Sequence, residues 1–95
     1  MKHCILVKFK EEYKNKINEY LPDIKNIFDK TKEIEGINDV EYILNCIDRD
    51  NRYDLLIRMD MKKESLETYD HCDSHKLWKD KYGSYLEKKA IFDYE

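Results

Sequence analysis

Two hydrophobic periodicities divide the chain. In the opening stretch KHCILVKF, His3, Ile5, Val7 and Phe9 alternate with Cys4, Leu6 and Lys8. A period of two with β-branched and aromatic members predicts a strand, and apolar residues on both sides predict that both faces are covered. From about Glu12 to Ile34 the period changes. Tyr13, Ile17, Tyr20, Leu21, Ile24, Ile27, Phe28 and Ile34 recur at steps of three, four and one, which builds a single helical stripe. Pro22 removes a backbone donor inside that stretch and predicts a kink or a helix start near it, and Gly36 supplies a stop signal.

Alternation returns over 38–47, where Val40, Tyr42, Leu44 and Cys46 oppose Glu41, Ile43, Asn45 and Ile47. The polar DRDNR at 48–52 predicts a hairpin connection to a third strand, in which Tyr53, Leu55, Ile57 and Met59 alternate with Asp54, Leu56, Arg58 and Asp60. A second helical region starts near Lys63 with Leu66 and Tyr69. It is interrupted at 70–74 and resumes with Leu77, Trp78, Tyr82, Tyr85 and Leu86. The last residues alternate again, Ala90, Phe92 and Tyr94 against Ile91 and Asp93.

The order β-α-β-β-α-β predicts one α+β, ferredoxin-like domain over residues 1–95, a four-stranded antiparallel sheet with its helices on one face. The other face is expected to present Leu6, Ile43, Ile47, Leu56 and Ile91, mixed with Lys8, Arg58 and Asp93. The expected cover for that many aliphatics is a second copy of the same sheet, so the pattern predicts a homodimer that closes an α/β barrel.

Composition removes several classes. Apolar and charged residues each make up 41% of the chain, with two Gly and one Pro, which excludes disorder and a turn-rich β-sandwich. The net charge of −3 comes from interspersed Lys/Arg and Asp/Glu with no basic block, so no nucleic-acid partner is expected. The apolar run Cys4–Val7 is too short for a signal-peptide core or a membrane span, and no membrane association is expected. Cysteines at 4, 46 and 72, without close pairs, point to a reducing cytoplasm.

Candidate chemistry concentrates in YDHCDSHKLW, residues 69–78. Zinc is one reading, since His71 and His75 stand at i and i+4 beside Cys72 and Asp73. A zinc site needs three or four ligands, however. The remaining His3, Cys4 and Cys46 sit apart in strands, and a turn at 70–74 breaks helical spacing, so neither metal ligation by these side chains nor a cofactor is expected. Capping is a second reading, with Asp73 or Ser74 accepting from the free amides of the last helix and Tyr69 and Trp78 in the core. Cys72 stands near a helix N-terminus without an orienting base and reads as a small packing residue.

Three stretches together resemble the stress-responsive dimeric α/β-barrel (Dabb) family. KHCILVKFK is similar to its first strand, IFDYE to its closing Phe-Asp-Tyr strand, and Tyr69 with His75 to a Tyr followed six residues later by the second His of a His-Pro-x-His motif. The resemblance spans essentially the whole chain. It implies a homodimeric barrel and a pocket between helices and sheet that takes a small organic ligand. In its cyclase-type members the matching His serves as base, the Tyr hydroxyl polarises a substrate carbonyl, and a first-strand His joins them. Those roles would fall on His75, Tyr69 and His3, a set suited to proton abstraction beside a carbonyl in a lyase or polyketide-cyclase reaction. Other members are stress proteins without assigned chemistry. The plant branch implies a divalent ion held by backbone carbonyls, here those of Ile34, Ile37 and Val40. In this chain Cys72-Asp73 replaces the His-Pro dipeptide, and Leu55 stands where cyclase-type members carry a further His.

Overall fold

In the computed structural model, which describes residues 1–95, strand β1 (Lys2–Phe9) lies at the centre of a sheet. It pairs antiparallel with β3 (Leu55–Met61) on one side and β4 (Leu86–Tyr94) on the other. Strand β2 (Ile37–Leu44) pairs antiparallel with β3, giving the order β2-β3-β1-β4. The helices are α1 (Glu11–Lys14), α2 (Ile17–Asp29), α3 (Leu66–Asp70) and α4 (Asp73–Tyr82), and they supply the crossovers of the expected β-α-β-β-α-β order.

Alternation in the two central strands decides which side chains meet the helices. Ile5, Val7 and Phe9 of β1 and Leu55, Ile57, Met59 and Met61 of β3 enter one core with Ile24, Ile27 and Phe28 of α2 and Trp78 and Tyr82 of α4. Val7, Ile57 and Met59 are 0% exposed and mark its middle.

The first helical region is broken at Asn15–Lys16, so α2 starts at Ile17, five residues ahead of Pro22, and continues through the proline. Pro22 is exposed, and the lost amide removes one ladder bond at a surface position without ending the helix. A single-turn 3-10 segment, Lys30–Glu33, follows. Gly36 then turns the chain into β2 at φ +92°, in the left-handed region, where an added Cβ would lie 2.1 Å from Ser65 Oγ. Strand β2 ends at Leu44, leaving Cys46 and Ile47 in the loop to β3. The last helix ends at Tyr82, and Leu86 already belongs to β4.

The parity expected for β4 is corrected. Ile91 pairs with Ile5 and Asp93 with His3, which puts both on the helix side of the sheet. Ala90, Phe92 and Tyr94 pair with Leu6, Cys4 and Lys2 and lie on the open side. That face also carries Ile43 and Leu56 and is apolar toward one end, with Phe92 62% exposed. Arg58 forms a forked pair with Glu41 there, at 3.2 and 2.9 Å, which holds the Glu41 carboxyl below the usual carboxylate range.

Candidate functional site

The interruption in the second helical region positions the candidate site. After α3 the chain turns at His71–Cys72, and Cys72 adopts extended backbone ahead of α4. Its Sγ accepts from the His75 amide at 3.4 Å, so Cys72 is the N-cap and the expectation of an Asp73 or Ser74 cap is corrected. An extended residue just before a helix can aim its side chain at the amides of the first turn, whereas Asp73 and Ser74 already lie inside the helix. One turn into α4 is His75. Its Nδ1 lies 2.9 Å from the Asp70 carbonyl, which can only accept, so Nδ1 carries the proton and Nε2 is the free ring nitrogen of the neutral side chain.

Tyr69, at the end of α3, packs between two imidazoles. Its ring centre is 4.8 Å from that of His75 and 5.5 Å from that of His3, which reaches across from β1. The residue is 1% exposed, and its hydroxyl is a buried polar group without a hydrogen-bond partner. Burial pushes the phenol's ionisation well above its ordinary range, with Cys72 and Asp70 adding to the effect. His3 is itself 5% exposed, and its Nδ1 donates to the Asp93 carboxylate at 2.5 Å. This leaves Nε2 of His3 free as well in the neutral ring.

These groups border a cavity of about 320 Å³ between the β1–β4 side of the sheet and helices α3 and α4. Ile5, Leu66, Trp78 and Ile91 supply its apolar wall, and His3, Tyr69, Asp70, His75, Lys89 and Asp93 its polar one. Ile91 is 49% exposed although it faces the helices, because the helices stop short of the β4 edge and leave the cavity open there. The three residues singled out in the sequence, His3, Tyr69 and His75, are thus brought together. His71 is not among them; it is exposed and its ring bonds the Glu67 carbonyl. Leu55 and Tyr82 remain in the core and do not fill the cavity.

Asp70, within the 69–78 stretch, also borders the cavity, and Asp93 and Lys89 join it from β4 without a site signal of their own. Asp93 stands in the closing Phe-Asp-Tyr strand, but alternation alone cannot give its partner, which lies 90 residues away. Nowhere do three or more His, Cys, Asp or Glu side chains group so as to hold a metal ion. The carbonyl of Ile34 accepts from the Ile37 amide at 3.1 Å, and Ile37 and Val40 lie on β2, at the opposite edge of the sheet from β4. No helix is long and apolar enough to cross a membrane.

No family model matches the chain, and no curated protein does. Solved structures do match over nearly its full length. One is a dimeric protein of unknown function with a ferredoxin-like fold from Bacteroides fragilis, 19% identical with a TM-score of 0.76, covering 99% of this chain and 93% of that one. The chain has the ferredoxin-like fold. The same ferredoxin-like arrangement is found in a Dabb family protein from Mesorhizobium loti, 18% identical with a TM-score of 0.74, covering 99% and 93% of the two chains. It is found too in a hydroxynitrile lyase from Passiflora edulis, 9% identical with a TM-score of 0.74, covering 98% and 89%. At these identities the shared property is the fold, and chemistry has to be argued from the side chains.

Proposed function

We propose that the protein is a stress-responsive Dabb-type subunit that works as a homodimer and binds a small organic molecule in the cavity beside Tyr69. The observation that carries the binding reading is the Tyr69 hydroxyl, buried without a partner in a residue that borders an open cavity. An unsatisfied buried hydroxyl costs stability, and a ligand oxygen that accepts from it removes the cost. The ligand is therefore a carbonyl or hydroxyl compound whose apolar body rests on Ile5, Ile91 and Trp78. The Dabb reading draws on the three matching sequence stretches and on the fold shared with a Dabb protein. The homodimer reading draws on the apolar open face and on neighbours described as dimeric. A thermal-shift screen of aromatic ketones and alcohols tests the binding: hits should raise the melting temperature of the wild type and lose that effect in His75→Ala. A screen in which His75→Ala responds like the wild type removes His75 from the site.

A second reading is favoured by the hydrogen bond of His75 Nδ1 to the Asp70 carbonyl. With Nδ1–H engaged, Nε2 is the one atom of that ring able to take a proton, and Tyr69 can donate to the oxygen on which charge then develops. A carbonyl compound held this way loses the proton on the carbon next to the carbonyl to His75, leaving an enolate whose oxygen is bound by Tyr69. This is the first half of a lyase or aldol-type cyclisation. Exchange of α-hydrogens for solvent deuterium in a bound ketone is the direct assay. His75→Ala should abolish the exchange, and exchange that persists in that variant rejects His75 as base.

A further inference from the structure

Resting on the cavity reading above, we infer that the ligand is an organic acid: a molecule with a carboxylate at one end, an apolar aryl or alkyl body and an oxygen function at the other. The basis is the order of charges along the cavity. Strand register fixes that order on the sheet side. His3 pairs with Asp93, Ile5 with Ile91, and Val7 with Lys89, all on the face turned to the helices. Walking along β4 from Asp93 to Lys89 therefore leads from the imidazole end, across the apolar Ile5–Ile91 step, to a lysine. At the rise of a strand that is roughly 13 Å of backbone, which the lysine arm shortens by reaching back.

Tyr69 and His75 belong to the imidazole end, because the Tyr69 ring is in contact range of both histidines. Both carboxylates that line the cavity, Asp70 and Asp93, also belong there, Asp93 through its bond to His3 and Asp70 through its sequence neighbour Tyr69 and its carbonyl bond to His75. The one Lys or Arg among the lining residues is Lys89, and it forms no ion pair, unlike Lys2, Lys8, Lys14, Lys32, Arg58 and Lys81.

A cavity with two carboxylates at one end and an unpaired ammonium at the other orients an anion in one sense. A carboxylate is repelled from the end that holds Tyr69 and attracted to Lys89. That orientation delivers the uncharged end of the ligand to the Tyr69 hydroxyl, which has no other partner. Lys89 thus selects and aligns the ligand and takes no part in proton transfer.

The test uses three matched probes: para-acetylhydrocinnamate, its uncharged methyl ester, and para-ethylhydrocinnamate, which keeps the acid and lacks the ketone. Dissociation constants are measured by isothermal titration on wild type, Lys89→Met, Lys89→Glu and Tyr69→Phe. Lys89 is exposed, so its variants fold. An exposed ion pair is worth up to roughly fivefold in binding, so the acid should bind the wild type about three- to fivefold more tightly than the ester at low salt. The preference should vanish in Lys89→Met, reverse in Lys89→Glu and shrink as salt is added. The acetyl probe should bind more tightly than the ethyl probe in the wild type and equally in Tyr69→Phe. Acid and ester binding alike to the wild type, or an unchanged preference in Lys89→Glu, overturns the organic-acid assignment and leaves the cavity reading standing. Failure of all three probes to bind overturns both.

Discussion

Removing one oxygen atom from the core should make this protein more stable. In most proteins Tyr→Phe at a buried position loses a hydrogen bond and costs stability. Tyr69 is different: it is 1% exposed, and its hydroxyl has no partner. Folding strips that hydroxyl of water and returns nothing, a penalty of ~1–3 kcal/mol. Tyr69→Phe keeps the ring and its contacts with His3 and His75 while deleting the penalty. A chain of 95 residues has an unfolding entropy of about 0.2 kcal/mol/K, so the gain should raise the melting temperature by roughly 5–15 °C. The assay is thermal denaturation followed by circular dichroism at neutral pH, with the protomer concentration fixed because association shifts the midpoint. The same variant should lose the advantage of ketone over alkyl probes, so stability and binding should move in opposite directions. A melting temperature that falls in Tyr69→Phe would mean that the folded protein satisfies the hydroxyl.

Four further outcomes follow from the geometry. Cys72→Ala should lower stability by about 0.5–1 kcal/mol through loss of the α4 cap, and Cys72→Ser should restore or exceed the wild type, measured by urea denaturation. Ile57→Ala, at a position 0% exposed in the core, should cost ~2–5 kcal/mol in the same experiment. If the open sheet face closes the proposed homodimer, the wild type should sediment as a dimer and Phe92→Asp as a monomer with unaltered secondary structure. Tyr42, Tyr69 and Tyr82 all ionise above the ordinary value of 10.0 when folded, chiefly through burial. Above that pH the unfolded chain gives up these protons while the folded one keeps them. Stability is therefore fully present below about pH 10 and falls as pH rises beyond it, with a shallower fall in Tyr69→Phe.

Much of the fold is legible in the sequence because burial is one-sided. Ile5, Val7 and Phe9 share a face by alternation, and Ile24, Ile27 and Phe28 share a helical stripe, so local geometry and packing agree. In β4 they cannot be separated by pattern. Ile91 on one face and Phe92 on the other are both large, apolar and exposed, so alternation groups residues correctly and leaves undecided which group faces the helices. Only the register with β1 decides it. The same register turns Asp93 from an open-face carboxylate into the partner of His3. In the site, Tyr69 and His75 were readable from their spacing. The Cys72 cap was not, because thiols are weak acceptors and Asp73 and Ser74 are the usual capping residues. Lys89 carried no local signal among three neighbouring charged residues, Glu87–Lys89.

In the proposed complex the Tyr69 hydroxyl and the His75 ring meet a ligand oxygen in the cavity beside β4. The most direct measurement of that contact is an NMR titration of the isotope-labelled protein with the uncharged methyl ester of para-acetylhydrocinnamate, whose binding does not depend on Lys89. Saturable shifts of the Tyr69, His75 and His3 ring signals are expected, with the His75 shift reduced in Tyr69→Phe and the Tyr69 shift reduced in His75→Ala. Ring signals that stay in place at saturating ligand, or shifts confined to the open sheet face, would contradict it.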